Sequence, residues 1–175
     1  YAQLTPIKRA SRIIYLNKTC YNGLFRVNNA GEFNTPFGSY KNPNIVNAVT
    51  LRAVSQYFRD ADVSFSTAEF EDILKSLTKN AFVYLDPPYL PVSDTANFTG
   101  YTKGGFDHTE QVRLKECCDR LDQKGVKFML SNSAVPFITD LYREYKVEII
   151  QARRAINSVS SKRGDVDEVI VRNYE

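Results

Sequence analysis

The 175-residue sequence predicts an α/β fold, because short apolar runs typical of buried strands alternate with segments of helical periodicity. Residues 81–85 (AFVYL) and 126–132 (VKFMLSN) are two such runs, separated by a helical segment and followed by two closing strands. This order favours a parallel, doubly wound sheet. The 43% hydrophobic and 25% charged fractions are ordinary for a globular domain, and no apolar run approaches the ~20 residues of a membrane span.

The first third of the chain predicts helices and a hairpin. Residues 5–17 predict a helix with Thr5 as N-cap and Pro6 at the first helical position. Residues 25–37 alternate apolar and polar side chains around a turn, which is typical of a β-hairpin. A second helix is expected over 42–58, a short strand over 62–67 (DVSFST) and a helix over 69–77.

The remainder predicts the sheet. The continuous apolar run 81–85 is typical of a strand buried on both faces. Asp107 and Glu110 form a capping box that opens a helix ending near Lys124, before Gly125. A strand, a helix and two closing strands are expected next, over 126–132, 136–145, 147–152 and 166–174.

Charge is distributed unevenly. Through Asp60 the chain has eight basic and two acidic residues, and the remainder has 15 basic and 18 acidic ones. A basic first third with aromatic residues is typical of a segment that binds a polyanion such as nucleic acid. The alternative is that the uneven charge distribution arises by chance and that this segment has no polyanionic partner.

Cysteine and histidine exclude several kinds of site. Cys20 is isolated, and Cys117 and Cys118 are adjacent in a predicted helix, which suits neither a disulfide nor a zinc site. Unpaired thiols favour a reducing, cytoplasmic location. His108 is the single histidine, so His-rich metal sites are excluded and no metal is expected. His108 itself is expected in a first helical turn with no chemical role.

A tetrapeptide that follows the 81–85 run, Asp86-Pro87-Pro88-Tyr89, is the main candidate for chemistry. Ligands bind at the carboxyl ends of parallel strands, and two prolines fix φ and withhold both N–H groups. The result is a rigid turn that presents a carboxylate, carbonyl oxygens and an aromatic ring to a flat group bearing an amine. The alternative is a structural turn with a capping Asp and a packed Tyr.

These residues resemble the amino-methyltransferases that share a D/N/S-PP-Y/F motif, and in particular the Dam-type adenine-N6 DNA methyltransferases. Residues 20–38 resemble the DNA-reading hairpin of that family, and 86–106 resemble its catalytic strand end and following loop. The order matches the α group. The resemblance implies a class I, Rossmann-like sheet that depends on S-adenosylmethionine and is incomplete at its N-terminal side, with a helical and β-hairpin DNA-recognition segment. Residues 1–58 would form that target-recognition segment, and 59–175 the C-terminal part of the catalytic domain.

The resemblance also implies the reaction: methyl transfer from S-adenosylmethionine to N6 of a flipped adenine in double-stranded DNA, at GATC. Asp86 and the Pro87 carbonyl would accept hydrogen bonds from the amine, and Pro88 and Tyr89 complete the motif, with Tyr89 stacking on the base. Glu69, Phe70 and Asp86 would contact the cofactor. Phe70 as a core aromatic is the alternative.

Six residues are implied to contact DNA. Arg26 would bind guanine, Leu24 and Pro36 would read a thymine methyl group, and Tyr21 would wedge beside the flipped base. Asn22 and Tyr40 would make backbone or local contacts. Alternatively, Arg26 pairs with Glu32, and Leu24 and Pro36 only shape the hairpin. Ser39 stands where relatives often carry Arg, which removes a phosphate contact.

The sequence contains neither a G-x-G-x-x-G nor a GxxxxGK loop. The resemblance implies that a glycine-rich cofactor motif and a lysine-containing segment lie before Tyr1, so the chain is expected to be about two-thirds of a longer protein. Two alternatives stay open: a DNA-binding fragment without activity, and a methyltransferase acting on an RNA base or a protein amide. Secondary candidates are Phe98 and Tyr101 over the base, and Lys162 and Arg163 on phosphate.

Overall fold

The computed structural model describes residues 3–28, 30–92, 106–153 and 165–175. The chain divides into two compact units, Tyr1–Ser66 and Thr67–Glu175. The sequence predicts a boundary between the two segments after residue 58, which lies N-terminal to this division. Within the described ranges, no helix combines the length and apolar character needed to cross a membrane.

The first unit contains two long helices. Helix α1, Pro6–Thr19, begins as predicted after Thr5, whose hydroxyl accepts a hydrogen bond from the Lys8 N–H (3.4 Å). Helix α2, Ala48–Asp60, begins later than predicted because Asn47 is its N-cap and accepts from the Thr50 N–H (3.2 Å). The residues before this cap include Asn42 in the left-handed region (φ 52°), where a helix cannot start.

A hairpin turn lies between these helices. Val27 and Phe33 form an antiparallel bridge, the Asn28 N–H donates to the Glu32 carbonyl (2.8 Å), and Gly31 has a φ of 78°. The bridge is isolated and no strand extends from it in the described part of this segment. The predicted turn is therefore confirmed, whereas the predicted pair of strands is wrong.

The second unit contains a four-stranded sheet. Its strands are β1 Phe82–Leu85, β2 Lys127–Ser133, β3 Lys146–Arg153 and β4 Asp165–Arg172, in the order β1-β2-β4-β3. Strand β1 is parallel to β2, and β4 lies between β2 and β3 and is antiparallel to both. The α/β order is therefore confirmed, with one antiparallel strand in the sheet.

The predicted strand over 62–67 is wrong. None of these residues is part of a strand in the structure. Phe65 is 76% exposed, and its ring contacts the ring of Phe58 at 5.1 Å between centroids. The apolar alternation of this segment thus supplies an aromatic contact within the first unit, and no strand among the described residues pairs with it.

Three helices accompany the sheet: α3 Phe70–Lys75, α4 His108–Gln123 and α5 Pro136–Leu141. Asp107 caps α4 by accepting from the Thr109 and Glu110 N–H groups (2.9 and 3.1 Å), and Gly125 follows the helix with a φ of 69°. The predicted start and end of α4 are confirmed. His108 lies in its first turn, with its ring 4.5 Å from that of Phe137.

The core of this unit lies between one face of the sheet and the helices. Alternate residues of β1, β2 and β4 pack there against α3, α4 and α5, and the core side chains include Val83, Leu85, Phe128, Leu130, Val169, Val171, Leu74, Leu114, Leu121, Ile138 and Tyr142. On the opposite face Phe82 and Tyr84 are 57% and 56% exposed. The prediction that β1 is buried on both faces is wrong, because α3, α4 and α5, the described helices of this unit, cover only one face of the sheet, and a doubly wound arrangement is not seen in the described part of this unit.

Candidate active site and nucleic-acid interface

The Asp86–Tyr89 loop directly follows β1, at its carboxyl end. Because β1 and β2 are parallel and Leu85 pairs with Leu130, the residues that follow Leu130 lie beside the loop. These are Ser131, Asn132 and Ser133, all buried. Asp86 is exposed, Pro87, Pro88 and Tyr89 are half-buried, and Leu90 after them is 5% exposed. The predicted loop is thus anchored in the core while its side chains keep access to solvent.

The Asp86 carboxylate is held through one oxygen. The Ser131 hydroxyl donates to Asp86 Oδ1 (3.1 Å), and the Tyr84 hydroxyl lies 3.0 Å from Ser131 Oγ. A serine hydroxyl has a single hydrogen, so Tyr84 is the donor to Ser131. The resulting relay, Tyr84 to Ser131 to Asp86, orients the carboxylate. No hydrogen bond to Oδ2 occurs within the described residues, so this oxygen can accept from a ligand.

Tyr89 is fixed at its hydroxyl, which donates to Glu168 Oε2 on β4 (3.3 Å). Burial raises the pKa of Tyr89 above its ordinary value, the nearby Ser131 hydroxyl lowers this pKa in part, and the carboxylates of Glu168 and Asp86 raise it further. The phenol is therefore neutral at physiological pH. A neutral ring held at its hydroxyl end is suited to stacking.

Glu69 and Phe70 stand at the start of α3 and are tied to Arg113 of α4. The Arg113 guanidinium lies 4.6 Å from the centre of the Phe70 ring, and its Nη2 is 3.2 Å from Glu69 Oε2. Phe70 also packs against the core and lies 6.0 Å from the Phe106 ring. The structure therefore gives Phe70 the core-packing contact that was its alternative, with Arg113 over one face of the ring.

Arg26 is fixed by Asn34 on the other side of the hairpin turn. Its Nε donates to Asn34 Oδ1 (2.9 Å) and its Nη2 to the Asn34 carbonyl (3.1 Å). Glu32, the alternative partner, instead accepts from Asn28 Nδ2 (3.1 Å). The pairing of Arg26 with Glu32 is therefore wrong for this structure, and Arg26 remains exposed.

The other predicted DNA-contact residues lie on two segments that hydrogen bonds join. The Tyr21 N–H donates to the Pro36 carbonyl (2.8 Å), and the Tyr40 hydroxyl donates to the Cys20 carbonyl (3.0 Å). Tyr21 is 43% exposed. Asn22 adopts a φ of 53° in the short 3-10 turn Tyr21–Gly23, which places Leu24 beyond the turn. Backbone hydrogen bonds thus join Tyr21 to Pro36 and, across the 3-10 turn, to Leu24. The Tyr40 hydroxyl is already occupied by its bond to the Cys20 carbonyl.

Three groups of residues that contact the loop and the hairpin were not anticipated from the sequence. They are Ser131 and Glu168 near the Asp86–Tyr89 loop, Gln111 and Asn132 beneath it, and Asn34 beside Arg26. The available signal was the polar run Ser131-Asn132-Ser133 that ends an otherwise apolar strand. Phe98, Tyr101, Lys162 and Arg163 lie outside the described residues. In the described ranges no group of three or more His, Cys, Asp or Glu is placed to hold a metal ion.

Residues 2–156 match the family described as D12 class N6 adenine-specific DNA methyltransferase. The chain belongs to this family. It is 42% identical over 172 residues to the Type II methyltransferase M1.LlaDCHI of Lactococcus lactis subsp. cremoris, covering 98% of this chain and 61% of that protein. It is 43% identical over 170 residues to the Type II methyltransferase M.MjaIII of Methanocaldococcus jannaschii, covering 96% and 58%.

The chain is also similar to the DNA adenine methylase of Escherichia coli (strain K12). It is 35% identical over 165 residues, covering 94% of this chain and 58% of the relative. The chain therefore spans about three fifths of the length of the curated relatives that it matches.

Proposed function

We propose that the protein containing this chain is an adenine-specific DNA methyltransferase, which transfers a methyl group from S-adenosylmethionine to N6 of an adenine in double-stranded DNA. One observation carries this proposal: the Asp86 carboxylate lies at the carboxyl end of β1 with Oδ1 held by Ser131, and no residue in the described ranges donates a hydrogen bond to Oδ2. Membership of the D12 family supports the reaction class.

The chemistry follows from the nature of the adenine amine. Its lone pair is delocalised into the ring, so it is a poor nucleophile. Acceptance of its two hydrogens by Asp86 Oδ2 and the Pro87 carbonyl would favour a tetrahedral nitrogen and aim the lone pair at the methyl carbon. The methylated nitrogen is an acidic ammonium, which gives its proton to Asp86 or to water. Tyr89 stacks on the base. The base must first leave the duplex, which costs a few kcal/mol of unstacking free energy.

S-adenosylmethionine supplies an electrophilic methyl group when bound. Asp86 fits such a ligand because a carboxylate oxygen has two lone pairs, so Oδ2 could accept from a donor of the cofactor as well as from the adenine amine, and Glu69 and Phe70 are the further candidates to hold it. Phe70 fits only through the ring face that Arg113 does not cover, and the Glu69 carboxylate would accept from the ligand in competition with Arg113. The part these residues play is to bind and orient.

We assign the second unit to the class I, Rossmann-like methyltransferase fold. Strands β1, β2 and β3 run parallel to one another, because β4 is antiparallel to β2 and β3, and the Asp86–Tyr89 loop lies at the carboxyl end of β1. This placement supports the assignment, since open α/β sheets bind ligands at that edge. The segment over 1–58 is assigned to target recognition, and 59–175 to the C-terminal part of the catalytic domain.

GATC is the proposed target. Arg26, held by Asn34, presents its remaining N–H groups to guanine O6 and N7, the pairing expected of arginine in the major groove. Leu24 and Pro36 contact the thymine methyl group, and Tyr21 fills the gap beside the flipped adenine. Asn22 and Tyr40 support this loop near the DNA backbone.

The complete protein should transfer labelled methyl groups from S-adenosylmethionine to a duplex with one GATC site. It should not label the same duplex with that adenine already N6-methylated. Asp86→Ala should abolish transfer, while Asp72→Ala, an exposed carboxylate on α3, serves as the control. Specific binding to GATC without methyl transfer would support the alternative of a DNA-binding protein without activity. Methyl transfer only to RNA or to protein amides would show that the substrate is not DNA.

A further inference from the structure

Two carboxamide side chains, those of Gln111 on α4 and Asn132 on β2, are fully buried in the second unit, each with 0% exposure. Burying an amide without hydrogen-bond partners costs several kcal/mol. Such groups are therefore retained where every polar atom has a defined partner, and the identity of the partners indicates what the pair is for.

The partners are the backbone of the Asp86–Tyr89 loop and its neighbour. Gln111 Nε2 donates to the Pro88 carbonyl (3.0 Å), and Asn132 Oδ1 accepts from the Leu90 N–H (3.0 Å). Asn132 Nδ2 donates to Gln111 Oε1 (3.0 Å), which joins the two side chains. A helix, a strand and a loop are thus connected through one pair of amides.

Both amide orientations are determined by their partners. Backbone N–H groups only donate, so the Leu90 and Ser133 N–H groups require the oxygen of Asn132 on their side. The Nδ2 of Asn132 then faces Gln111, whose oxygen must accept, and the remaining Nε2 of Gln111 meets a carbonyl, which only accepts. Exchanging O and N in either side chain would break every bond.

The Gln111–Asn132 pair, called the clamp from here on, binds the Asp86–Tyr89 loop and Leu90 through backbone groups that proline leaves available. Pro87 and Pro88 have no N–H groups, so the loop cannot be anchored by donors at these positions. The clamp uses the Pro88 carbonyl and the Leu90 N–H, which directs the Pro88 carbonyl into the protein. The Pro87 carbonyl accepts no hydrogen bond within the described residues and stays available.

We propose that Gln111 and Asn132 are positioning residues for methyl transfer, which hold the Pro88 carbonyl inward so that the Pro87 carbonyl and Asp86 Oδ2 face the target amine. This rests on the proposed function above. Neither residue touches the substrate. Their effect is to fix the direction of successive carbonyls in the loop, and small misplacements of this kind reduce rates by up to about 100-fold.

The test uses Gln111→Met, which has nearly the same volume and no hydrogen bonds. In the 175-residue chain, amide hydrogen exchange is measured at Leu90 and, as an internal reference, at Leu130 in β2. We expect the Leu90 amide to lose protection by about 10-fold or more, with Leu130 unchanged, because the loop opens locally. In the complete protein, kcat should fall by about 10-fold or more while KM for DNA changes less than about two-fold.

Gln123→Met, at the exposed end of the same helix, is the matched control and should change neither readout. Equal loss of protection at Leu90 and Leu130 would mean that the pair only stabilises the fold, and an unchanged kcat would overturn the positioning role. If Gln111→Met does not fold, Gln111→Glu keeps an acceptor for Asn132 and is measured in the same way across pH: the protonated carboxyl, which burial favours, can donate to the Pro88 carbonyl, whereas the ionised form cannot, so Leu90 protection and kcat should both fall as the pH is raised. A wild-type protein that does not methylate adenine would refute the proposed function, whereas the exchange measurement still decides whether the clamp holds the loop.

Discussion

Arg26 carries the sharpest prediction about sequence recognition, since the structure defines which part of its guanidinium is available. Nε and Nη2 each donate to Asn34, so one edge of the planar group is occupied. The remaining N–H groups, on Nη1 and Nη2, form the other edge and lie parallel to one another. That edge has the two parallel donors that a bidentate contact with guanine O6 and N7 requires.

Arg26→Ala should therefore remove the whole bidentate contact, which is worth about 1–3 kcal/mol of discrimination, or roughly 5- to 150-fold in relative affinity. Asn34→Ala should have a smaller effect, about 1 kcal/mol, because it removes one hydrogen bond that orients the guanidinium and leaves the bond to the Asn34 carbonyl. Arg26→Lys retains the charge but not the fork, so it should lose discrimination while keeping non-specific binding.

Equilibrium competition is the appropriate assay, at one fixed salt concentration, with a GATC duplex, a scrambled duplex and a GATC duplex that carries 7-deazaguanine. Removal of N7 should weaken binding by the wild-type chain and leave Arg26→Ala unaffected, which forms a double-mutant cycle between protein and base. Arg12→Ala, an exposed cation of α1, controls for lost charge and should weaken all three duplexes alike. If Arg26→Ala and the wild type lose the same affinity on removal of N7, Arg26 does not read this guanine.

Ser131→Ala should lower kcat by about 10-fold in the complete protein without changing the Kd for DNA, because Asp86 Oδ1 loses its donor; an unchanged kcat would contradict the relay. The 175-residue chain should show little or no affinity for S-adenosylmethionine in titration calorimetry, and tight binding would show that the chain alone forms the cofactor site. Tyr40→Phe should lower the free energy of unfolding by about 1 kcal/mol, since the Cys20 carbonyl loses the hydroxyl donor and keeps the longer hydrogen bond from the Gly23 N–H (3.3 Å), and a denaturant titration would measure this. Burial raises the pKa of Cys118 from 9.0 to about 12, so the folded state retains the proton that the unfolded state loses. Stability should fall between pH 9 and pH 12, with a smaller decrease in Cys118→Ala; parallel pH curves for the two proteins would contradict this cause.

The sequence predicted those features that depend on neighbouring residues. Thr5, Asp107 and Gly125 mark helix ends through local hydrogen bonds or a positive φ, and the structure confirms all three. The Asp86–Tyr89 loop was found in the same way, since a double proline after an apolar run ends a strand.

Features that depend on distant residues were not predictable. Ser131 and Asn132 lie more than 40 positions from the loop residues they bind, and only the parallel pairing of β1 and β2 brings them there. In the sequence, Gln111 has the spacing and polarity of an ordinary polar residue of an amphipathic helix, so nothing marks it as buried. The apolar run of β1 was misleading for a related reason. An apolar residue shows that its burial would be favourable, but not whether another element packs against it. Phe82 of this run remains 57% exposed.

The relay that begins at Tyr84 links the uncovered face of the sheet to the chemistry of the loop. Tyr84 is 56% exposed, and its hydroxyl supports Ser131, which in turn orients Asp86. Water at this face competes for the same hydroxyl, and an apolar cover would exclude it and strengthen each bond of the relay. How well this face of the sheet is shielded from water therefore affects how firmly the Asp86 carboxylate is held.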